Sequence, residues 1–305
     1  MFEMKVTPHD VKAAFRFGHR YVLNRIIHPY PACTQIVRAN GAEAEAETHI
    51  LSSERDFAMA CWTLASYYAM CEKAYPVVMH DDGSLSRDDL DTIRRIVPAV
   101  KIVGREEADA VVHEKFKSCP HLLRLRKRLP HMMKILDFHA FCQAKRFIII
   151  DSDILFFSNP KELHEAGKSH RFSCDLETTY AVEPDELKKK SGIDFPPRVN
   201  CGMANVLKEA VDIELMEWLL HIANIDLERC PPYIEQTLWA MECGRGGFEY
   251  LPESYRICNA PGLKGLVAKH YTGLILDRFR SARDYFFVEG IPEVRRLVQC
   301  RQALS

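Results

Sequence analysis

Two aspartates interrupt an apolar run near the middle of the chain. Asp151 and Asp153 follow RFIII and precede ILFF, so two carboxylates adjoin a segment with the composition of a buried strand. Burying carboxylates is costly unless a cation or a partner offsets their charge. At i and i+2 on extended backbone, both side chains project to the same side. They suit Mg²⁺ or Mn²⁺ with positions left for phosphate, or they are turn residues that cap the helix near SNPKEL.

A basic segment lies upstream of this pair. Residues 115–134 contain seven lysines and arginines and no acidic residue. Most of these side chains are expected to be solvated helix surface. A few on the face nearest the strand ends could attract phosphate. A cation flanked by such groups is what a diphosphate leaving group needs.

The elements that must position these residues alternate between strand and helix. From Thr48 the pattern runs THILSS, a helix after a serine cap, YPVVMH, a serine-capped helix, AVKIV, two helical pieces split by Pro130, and RFIII. This order predicts a parallel sheet covered on both faces, with ligands beyond the carboxyl ends of its strands. Ser52–Ser53 and Asp81–Asp82 end two of these strands, as the aspartate pair ends another.

After residue 160 the rhythm changes. RFSCDL, RVNCGMANVL, GFEYLPESYRI and LVAKHYTG are each predicted as a strand, with helices AVDIELMEWLLHIA and YIEQTLWAMEC between or beside them. The chain finishes with the amphipathic helix PEVRRLVQCRQAL. These segments complete a sheet of mixed character.

Composition excludes several classes of protein. The 305 residues are 47% apolar and 27% charged, with a net charge of -1, so a globular core is expected and nucleic-acid binding is not. The eleven cysteines include no C-x-x-C pair, which favours reduced thiols and argues against a disulfide scaffold or a structural zinc site. No run reaches the ~18 apolar residues of a membrane span. MFEMKVTPHD lacks an apolar signal region, and a cytoplasmic location is expected.

The N-terminal segment differs from the rest. Residues 8–28 predict a basic amphipathic helix, which either packs on the main domain or contacts the inner membrane surface peripherally. NGAEAEAE at 40–47 predicts an exposed acidic linker. The expected organisation is this segment at 1–47, a catalytic domain at 48–290 and a packed C-terminal helix at 291–305.

The ordered motifs carry a resemblance. A basic helix with Lys134, the D-x-D at 151–153, NCGMANV, EQTLWA and KHYTG follow one another as in glycosyltransferases of the GT-A fold. The sequence is most similar to the glycogenin-like family, which includes lipopolysaccharide sugar transferases, from residue 48 to roughly residue 280. The resemblance implies an α/β, Rossmann-like GT-A fold with a mixed, mainly parallel sheet and helices on both faces.

The resemblance also implies a metal site. Asp151, Asp153 and His270 would bind Mn²⁺ or Mg²⁺, although alone His270 could be a strand-end histidine bonded to backbone. The family's Lys-Pro-Trp after His-x-x-Gly is absent, and LILDRF stands in its place. Substitutes for the lost phosphate contact are Lys264, Lys269 and Arg278.

Two further motifs match the family's donor-sugar contacts. Asn200-Cys201-Gly202 resembles its Asn-x-Gly, where glycine admits a ligand close to the main chain, although a strand bulge also explains the glycine. Glu235-Gln236 resembles its Asp-Gln pair, although Glu235 could lie on a helix surface. The predicted catalytic residues are Asn200, Glu235 and Gln236. The predicted nucleotide-sugar contacts are Ser52, Ser53, Asp81, Lys134, Asp151, Ser152, Asp153, Asn200, Gly202 and Gly273, although Asp81 and Asp82 also suit turn roles.

The implied activity is transfer of a sugar from a nucleoside diphosphate sugar, expected to be a UDP-sugar, to a hydroxyl of a glycan, lipid-linked or small-molecule acceptor, with retention. One rival is a D-x-D phosphatase, but the residues after Asp153 do not follow that pattern. Another rival is a non-catalytic binding or scaffold domain, because fold alone does not ensure activity.

Overall fold

The computed structural model describes residues 45–73, 75–97, 99–165, 167–223, 233–257, 260–273 and 281–304. The predicted helix at 8–28, most of the predicted acidic linker at 40–47, and Arg278 lie outside the described residues. In that part of the chain the strands are β1 Ala46–Ser52, β2 Val77–Asp81, β3 Lys101–Val103, β4 Arg146–Ile150, β5 Ile154–Phe156, β6 His170–Cys174, β7 Val199–Leu207, β8 Phe248–Tyr250, β9 Tyr255–Ile257 and β10 Ala268–His270.

Helices connect these strands and cover them. The α-helices are α1 Phe57–Met70, α2 Arg87–Ile96, α3 Arg105–Lys115, α4 Pro120–Arg128, α5 Met133–Phe141, α6 Lys161–His164, α7 Pro184–Ser191, α8 Ile213–Ile222, α9 Ile234–Gly246, α10 Ala282–Tyr285 and α11 Ile291–Leu304. Short 3₁₀ turns lie at Pro130–Met132 and Lys208–Ala210, and a π-helical turn at Phe286–Gly290 joins α10 to α11.

The main sheet has the strand order β3-β2-β1-β4-β7-β6-β8. The strands β1 to β4 run parallel, β7 runs antiparallel to both β4 and β6, and β8 is parallel to β6. A second sheet has the order β5-β10-β9, in which β10 is antiparallel to β5 and parallel to β9. The predicted mixed, mainly parallel sheet is confirmed.

Alternate residues of β4 enter two separate cores. Phe147 and Ile149 pack into the core beneath α5, α8 and α9, while Ile148 and Ile150 pack into the core beneath α1. Neighbouring residues of a strand face opposite sides, so a strand that is apolar at every position must be covered on both. The unbroken run RFIII therefore places β4 at the centre of a three-layer structure.

Two sequence predictions of local structure need correction. GFEYLPESYRI is not one strand, because β8 and β9 belong to different sheets, with a turn in which the amide of Tyr255 donates to the carbonyl of Pro252 at 2.8 Å. The helix α3 was not predicted as a separate element. Its sequence REEADAVVHEK buries only Ala108 and Val112, so the apolar period that marks a helix is nearly absent.

A serine cap was predicted for α1 and for α2, and the prediction is correct only for α2. Ser86 caps α2 in a capping box with Asp89, as the serine and the acidic first turn predict. No serine caps α1; the N-cap position is Asp56, whose side chain makes no capping bond and instead accepts from arginine side chains. A tertiary contact has replaced the local cap.

The C-terminal helix α11 packs on the rest of the chain. Ile291 and Val294 lie in a third apolar cluster with Trp62 of α1 and Leu155 of β5. The helix thus lies against the layer that carries β5. None of the helices that the structure describes is long and apolar enough to cross a membrane.

A buried ion pair holds α4 against α5. The Nε and Nη2 atoms of Arg126 donate to the two carboxylate oxygens of Asp137 at 2.6 and 2.7 Å, and the Asp137 side chain is fully buried. Asp137→Ala would leave the Arg126 charge buried without this partner. Because Nη1 of Arg126 also pairs with the half-exposed Asp109, we expect the free energy of unfolding to fall by about 3 kcal/mol, the lower end of the range for a broken buried pair, measured by chemical denaturation.

The matched control for this prediction is Asp91→Ala. Asp91 pairs with Arg94 at 3.1 Å, but both side chains are more than half exposed. Exposed pairs contribute about 0–1 kcal/mol. Equal losses for the two variants would contradict the assignment of the Arg126–Asp137 pair as the stronger structural contact.

Candidate functional site

Three parallel strands of the main sheet end at one edge, each with polar residues. Strand β1 ends at Ser52, β2 at Asp81, and β4 just before Asp151. Because β7 is antiparallel to β4, its first residues reach the same edge, where the amide of Asp151 donates to the carbonyl of Gly202 at 2.8 Å. The edge at which ligands are expected therefore collects residues from four strands.

Asp151, Asp153 and His270 form one cluster. The Nε2 atom of His270 lies 3.0 Å from Oδ1 of Asp153 and 3.8 Å from Oδ2 of Asp151. One ligand-type atom from each residue falls within 4.8 Å of the others. The second sheet delivers the histidine, since β5 follows the aspartates and pairs with β10, which ends on His270.

This cluster fits a divalent cation. Two carboxylates and one imidazole are donors that Mn²⁺ accepts. The Nδ1 atom of His270 is buried without a hydrogen-bond partner, so no backbone group orients this ring, contrary to the alternative of a backbone-bonded histidine. The alternative that the aspartates cap the next helix is also wrong, because Pro160 is the N-cap of α6 and no side chain caps it.

Arg283 completes the cluster and was missed in the sequence. Its Nε and Nη2 atoms donate to Oδ2 of Asp153 at 3.1 and 2.8 Å, and Nη1 donates to Asp56 at 3.1 Å. Burial alone would raise the pKa of Asp153, but Arg283 and His270 beside it hold that pKa below its ordinary value. The Asp153 carboxylate is therefore charged at neutral pH.

Lys134 is the basic residue of the upstream segment that reaches the site. Its Nζ atom lies 2.9 Å from Oδ1 of Asp151 and 3.1 Å from Oε1 of Glu235, in a buried position. Glu235 is itself buried, so the alternative that it lies on a helix surface is wrong. Burial raises the pKa of Glu235 to about 7, against the opposing effect of Lys134.

Gly202 lies against the cluster of Asp151, Asp153 and His270. A Cβ atom at this position would fall 2.3 Å from Cε1 of His270, 2.6 Å from its Nδ1 and 3.0 Å from Oδ2 of Asp151. The register of β7 against β6 also changes between Phe172 and Ser173, opposite this glycine. A bulge and a close approach both require a residue without a side chain here.

Asn200 and Gln236 are joined through Asp175, which the sequence analysis missed. Oδ2 of Asp175 accepts from Nδ2 of Asn200 at 3.1 Å and from Nε2 of Gln236 at 3.2 Å. Nε2 of Gln236 also donates to the Thr179 hydroxyl at 2.5 Å. Asp175 directly follows β6, at the end of the predicted strand RFSCDL, so only its place at a strand end could have indicated it.

The residues predicted to contact the nucleotide lie along the same edge with local roles. Oδ1 of Asp81 accepts from the amides of Gly83 and Leu85 at 2.8 and 3.1 Å, the turn role that the sequence left open. Oδ1 of Asp82 accepts from the Ser84 amide at 3.0 Å. The Asp81 carboxylate is thereby held rigidly beside the end of β1.

The serines of this edge make backbone contacts. The Ser52 hydroxyl donates to the Ser53 carbonyl at 3.4 Å, and the Ser53 hydroxyl accepts from the Asp56 amide at 3.3 Å. The Ser152 carbonyl accepts from the hydroxyl of Thr63 at 2.8 Å, which ties the aspartate turn to α1.

Two of the three residues predicted as substitutes for the late phosphate contact lie among the described residues. Lys269 is fully buried and bonded to Glu289 and the Ala260 carbonyl, and Lys264 lies on the exposed surface. Gly273, by contrast, lies beside Arg283, whose Cζ would be 3.9 Å from a Cβ on that glycine. Arg283 is the basic side chain that follows the His270 motif and contacts the cluster through Asp153.

Comparisons with solved structures support the fold. No protein-family model matches the chain, and no curated protein matches it. The galactosyltransferase LgtC, solved with donor and acceptor sugar analogues, is similar with a TM-score of 0.51 and 14% identity over 83% of this chain and 95% of LgtC. An active-site mutant of LgtC gives a TM-score of 0.52 and 12% identity over the same shares.

The bifunctional glycosyltransferase WbbM is also similar, with a TM-score of 0.52 and 13% identity over 87% of this chain. The match covers 53% of WbbM, so this chain spans about half the length of that protein. At these identities the likeness concerns the fold. Together with the strand order and the polar strand ends, it shows that the chain has the GT-A fold of glycosyltransferases.

Proposed function

We propose that this protein is a metal-dependent glycosyltransferase that moves a sugar from a UDP-sugar to an acceptor hydroxyl, with residues 48–290 as its catalytic domain. One observation carries the proposal: Asp151, Asp153 and His270 converge at the ligand-binding edge of a GT-A sheet, between Lys134 and Arg283. Mn²⁺ is the cation that we propose for this site. When bound, the ion would offset the charge that develops on the diphosphate as the sugar–phosphate bond breaks.

The two basic side chains bind the diphosphate. Asp151 holds Lys134 and Asp153 holds Arg283, so both positive charges are positioned before substrate arrives. A guanidinium can bind phosphate through two parallel hydrogen bonds, and an ammonium acts as a point charge. Preorganised positive groups stabilise the charge that develops on the diphosphate in the transition state more than the smaller charge of the bound donor. This difference accelerates bond breaking.

The amides of Asn200 and Gln236 orient the donor sugar. Asp175 accepts from both side-chain NH₂ groups, which fixes the direction of each amide. A fixed amide can select hydroxyl groups by their position. In this proposal Glu235 acts through Lys134, which it holds beside Asp151.

We propose retention at the sugar carbon. An inverting enzyme needs a carboxylate base free to take the acceptor proton. Asp175 is occupied by the two amides, Glu235 by Lys134, and Asp56 by Arg283. Proton NMR of the first transferred product distinguishes the two anomers. An inverted configuration at the sugar carbon would contradict this part of the proposal.

The test of the activity is metal-dependent handling of nucleotides. We expect UDP to bind in calorimetric titrations with Mn²⁺ and to bind at least tenfold more weakly after EDTA treatment, because carboxylates repel an uncompensated diphosphate. A screen of UDP-sugars should then reveal one that is hydrolysed slowly in Mn²⁺, since water can replace the acceptor.

Other nucleotides serve as the internal control in the same screen. Preference for GDP or another nucleotide with full metal dependence would correct the donor and leave the reaction class intact. Absence of metal-dependent binding for every nucleotide would overturn the transferase and leave a binding or scaffold domain.

A further inference from the structure

A second group of metal-type ligands lies within the protein, away from the strand ends. Among the described residues, Glu47, His49 and Cys142 each offer one ligand atom, and these atoms lie within 4.8 Å of one another. Glu47 and His49 belong to β1, and Cys142 directly follows α5. His49 is fully buried, and its Nε2 atom has no hydrogen-bond partner.

The spacing of these atoms matches a tetrahedral metal. Nε2 of His49 and Oε2 of Glu47 are 3.4 Å apart. Two ligands about 2.1 Å from a tetrahedral zinc are themselves roughly 3.4 Å apart. Thiolate, imidazole and carboxylate together suit Zn²⁺, whereas the oxygen-rich cluster at the strand ends suits Mn²⁺. The two clusters therefore differ in the metal that they would select.

His80 orients the proposed histidine ligand. Its Nε2 atom lies 3.0 Å from Nδ1 of His49, and Phe138 covers both rings at centroid distances of 4.6 and 5.2 Å. A proton on Nδ1 of His49, donated to His80, leaves the Nε2 lone pair of His49 directed toward Glu47 and Cys142. Metal-bound histidines commonly donate their second ring N–H to an acceptor that fixes the ring, and Nε2 of His80 takes that place here.

We propose that Glu47, His49 and Cys142 bind one Zn²⁺ ion, with water as the fourth ligand. The thiol of Cys142 now faces the carbonyls of Ala144 and Arg146 at 3.4 and 3.6 Å. On binding, the S–H bond breaks, the zinc–sulfur bond forms and the proton passes to solvent. The role of this ion is structural: it fastens the end of α5, the helix that carries Lys134, to the start of β1.

The sequence argued against a zinc site because it contains no C-x-x-C pair. That argument applies to sites built from paired cysteines close in sequence. Here one cysteine meets two ligands that lie far earlier in the chain, and only the packing of α5 on β1 brings them together. No local spacing could have indicated it.

The test uses Co²⁺ as a spectroscopic probe of the full chain, after removal of metal with a chelator. Co²⁺ bound to a thiolate gives a near-ultraviolet charge-transfer band that oxygen and nitrogen ligands do not give. We expect this band in the wild type and in Asp153→Asn, with loss in Cys142→Ser and displacement by one equivalent of Zn²⁺. Cys201→Ser, which alters the buried thiol next to Lys134, is the matched control and should keep the band.

Two outcomes would overturn the proposal. One is a wild type without the band at stoichiometric Co²⁺, which would leave the electrostatic contact between His49 and Glu47 at 3.4 Å as the explanation of the cluster. The other is a band that survives Cys142→Ser or disappears in Cys201→Ser. If Cys142→Ser does not fold, Glu47→Gln serves instead, and competition with a chromophoric chelator should show Zn²⁺ affinity at least about tenfold weaker, since loss of a ligand costs no less than loss of a residue that orients one.

Discussion

Asp153→Asn is expected to lower kcat/KM for the donor sugar by on the order of 10³-fold, and to lower thermal stability as well, because His270 and Arg283 lose a charged partner. A single preorganised charged group at such a site is worth about 10²–10³ in rate, and Asp153 has two contacts to lose, His270 and Arg283. Asparagine keeps the size and one acceptor oxygen for Arg283, but it lacks the charge that a cation needs. Donor hydrolysis across a Mn²⁺ titration measures the effect.

A matched control separates charge from general damage. Asp82→Asn makes the same change in an exposed turn at the same edge of the sheet, where the carboxylate only accepts from Ser84. It should retain donor hydrolysis within about threefold. If Asp153→Asn kept full Mn²⁺-dependent activity, the metal site would have to lie elsewhere.

Gly202→Ala is expected to remove metal-dependent activity with a smaller cost in stability. The new methyl group would meet the ring of His270 at 2.3 Å, a separation that real Cβ atoms do not show, so the buried ring must move. Overpacking of this kind costs roughly 1–3 kcal/mol, and a ligand displaced by about 1 Å can cost 10²-fold in rate. Activity and the midpoint of urea unfolding measure the two effects.

Gly246→Ala is the control for this change. The nearest atom to a Cβ at Gly246 is Nε2 of His170 at 3.9 Å, an ordinary contact, and the residue lies at the end of α9. Alanine there should leave activity unchanged and stability equal or slightly higher. Equal activity of Gly202→Ala and Gly246→Ala would show that the His270 ring does not need its observed position.

The parts of the site that could be predicted are those with a local signal. Asp151 and Asp153 interrupt a run of five buried residues, so their position at a strand end followed from sequence alone. His270, Asn200 and Gly202 have no such signal, and only the resemblance of ordered motifs pointed to them.

Arg283 and Asp56 could not be found in either way, and Asp175 had only its place at a strand end to indicate it. Each is a single charged residue in a stretch where charged surface residues are common, and each acquires its meaning from a partner distant in the chain. The fold was easier to predict from the sequence, because the apolar periods of strands and helices are local. The prediction failed where the period was weak, as in α3. Contacts between two charged residues leave no repeating pattern in the sequence from which they could be predicted.

The reversal of β7 has a consequence for how the protein folds. The first part of the chain, up to β4, forms parallel pairs between β1, β2, β3 and β4 through helical crossovers. The aspartates are then in place, but Gly202 arrives only when β7 inserts beside β4, and His270 only when β10 pairs with β5. The pairing that joins His270 to Ile154 closes a longer stretch of chain than the pairing of Ala46 with Arg146 between β1 and β4, so it costs more loop entropy. Competence to hold a cation at the strand ends should therefore be among the last properties that the folding chain acquires.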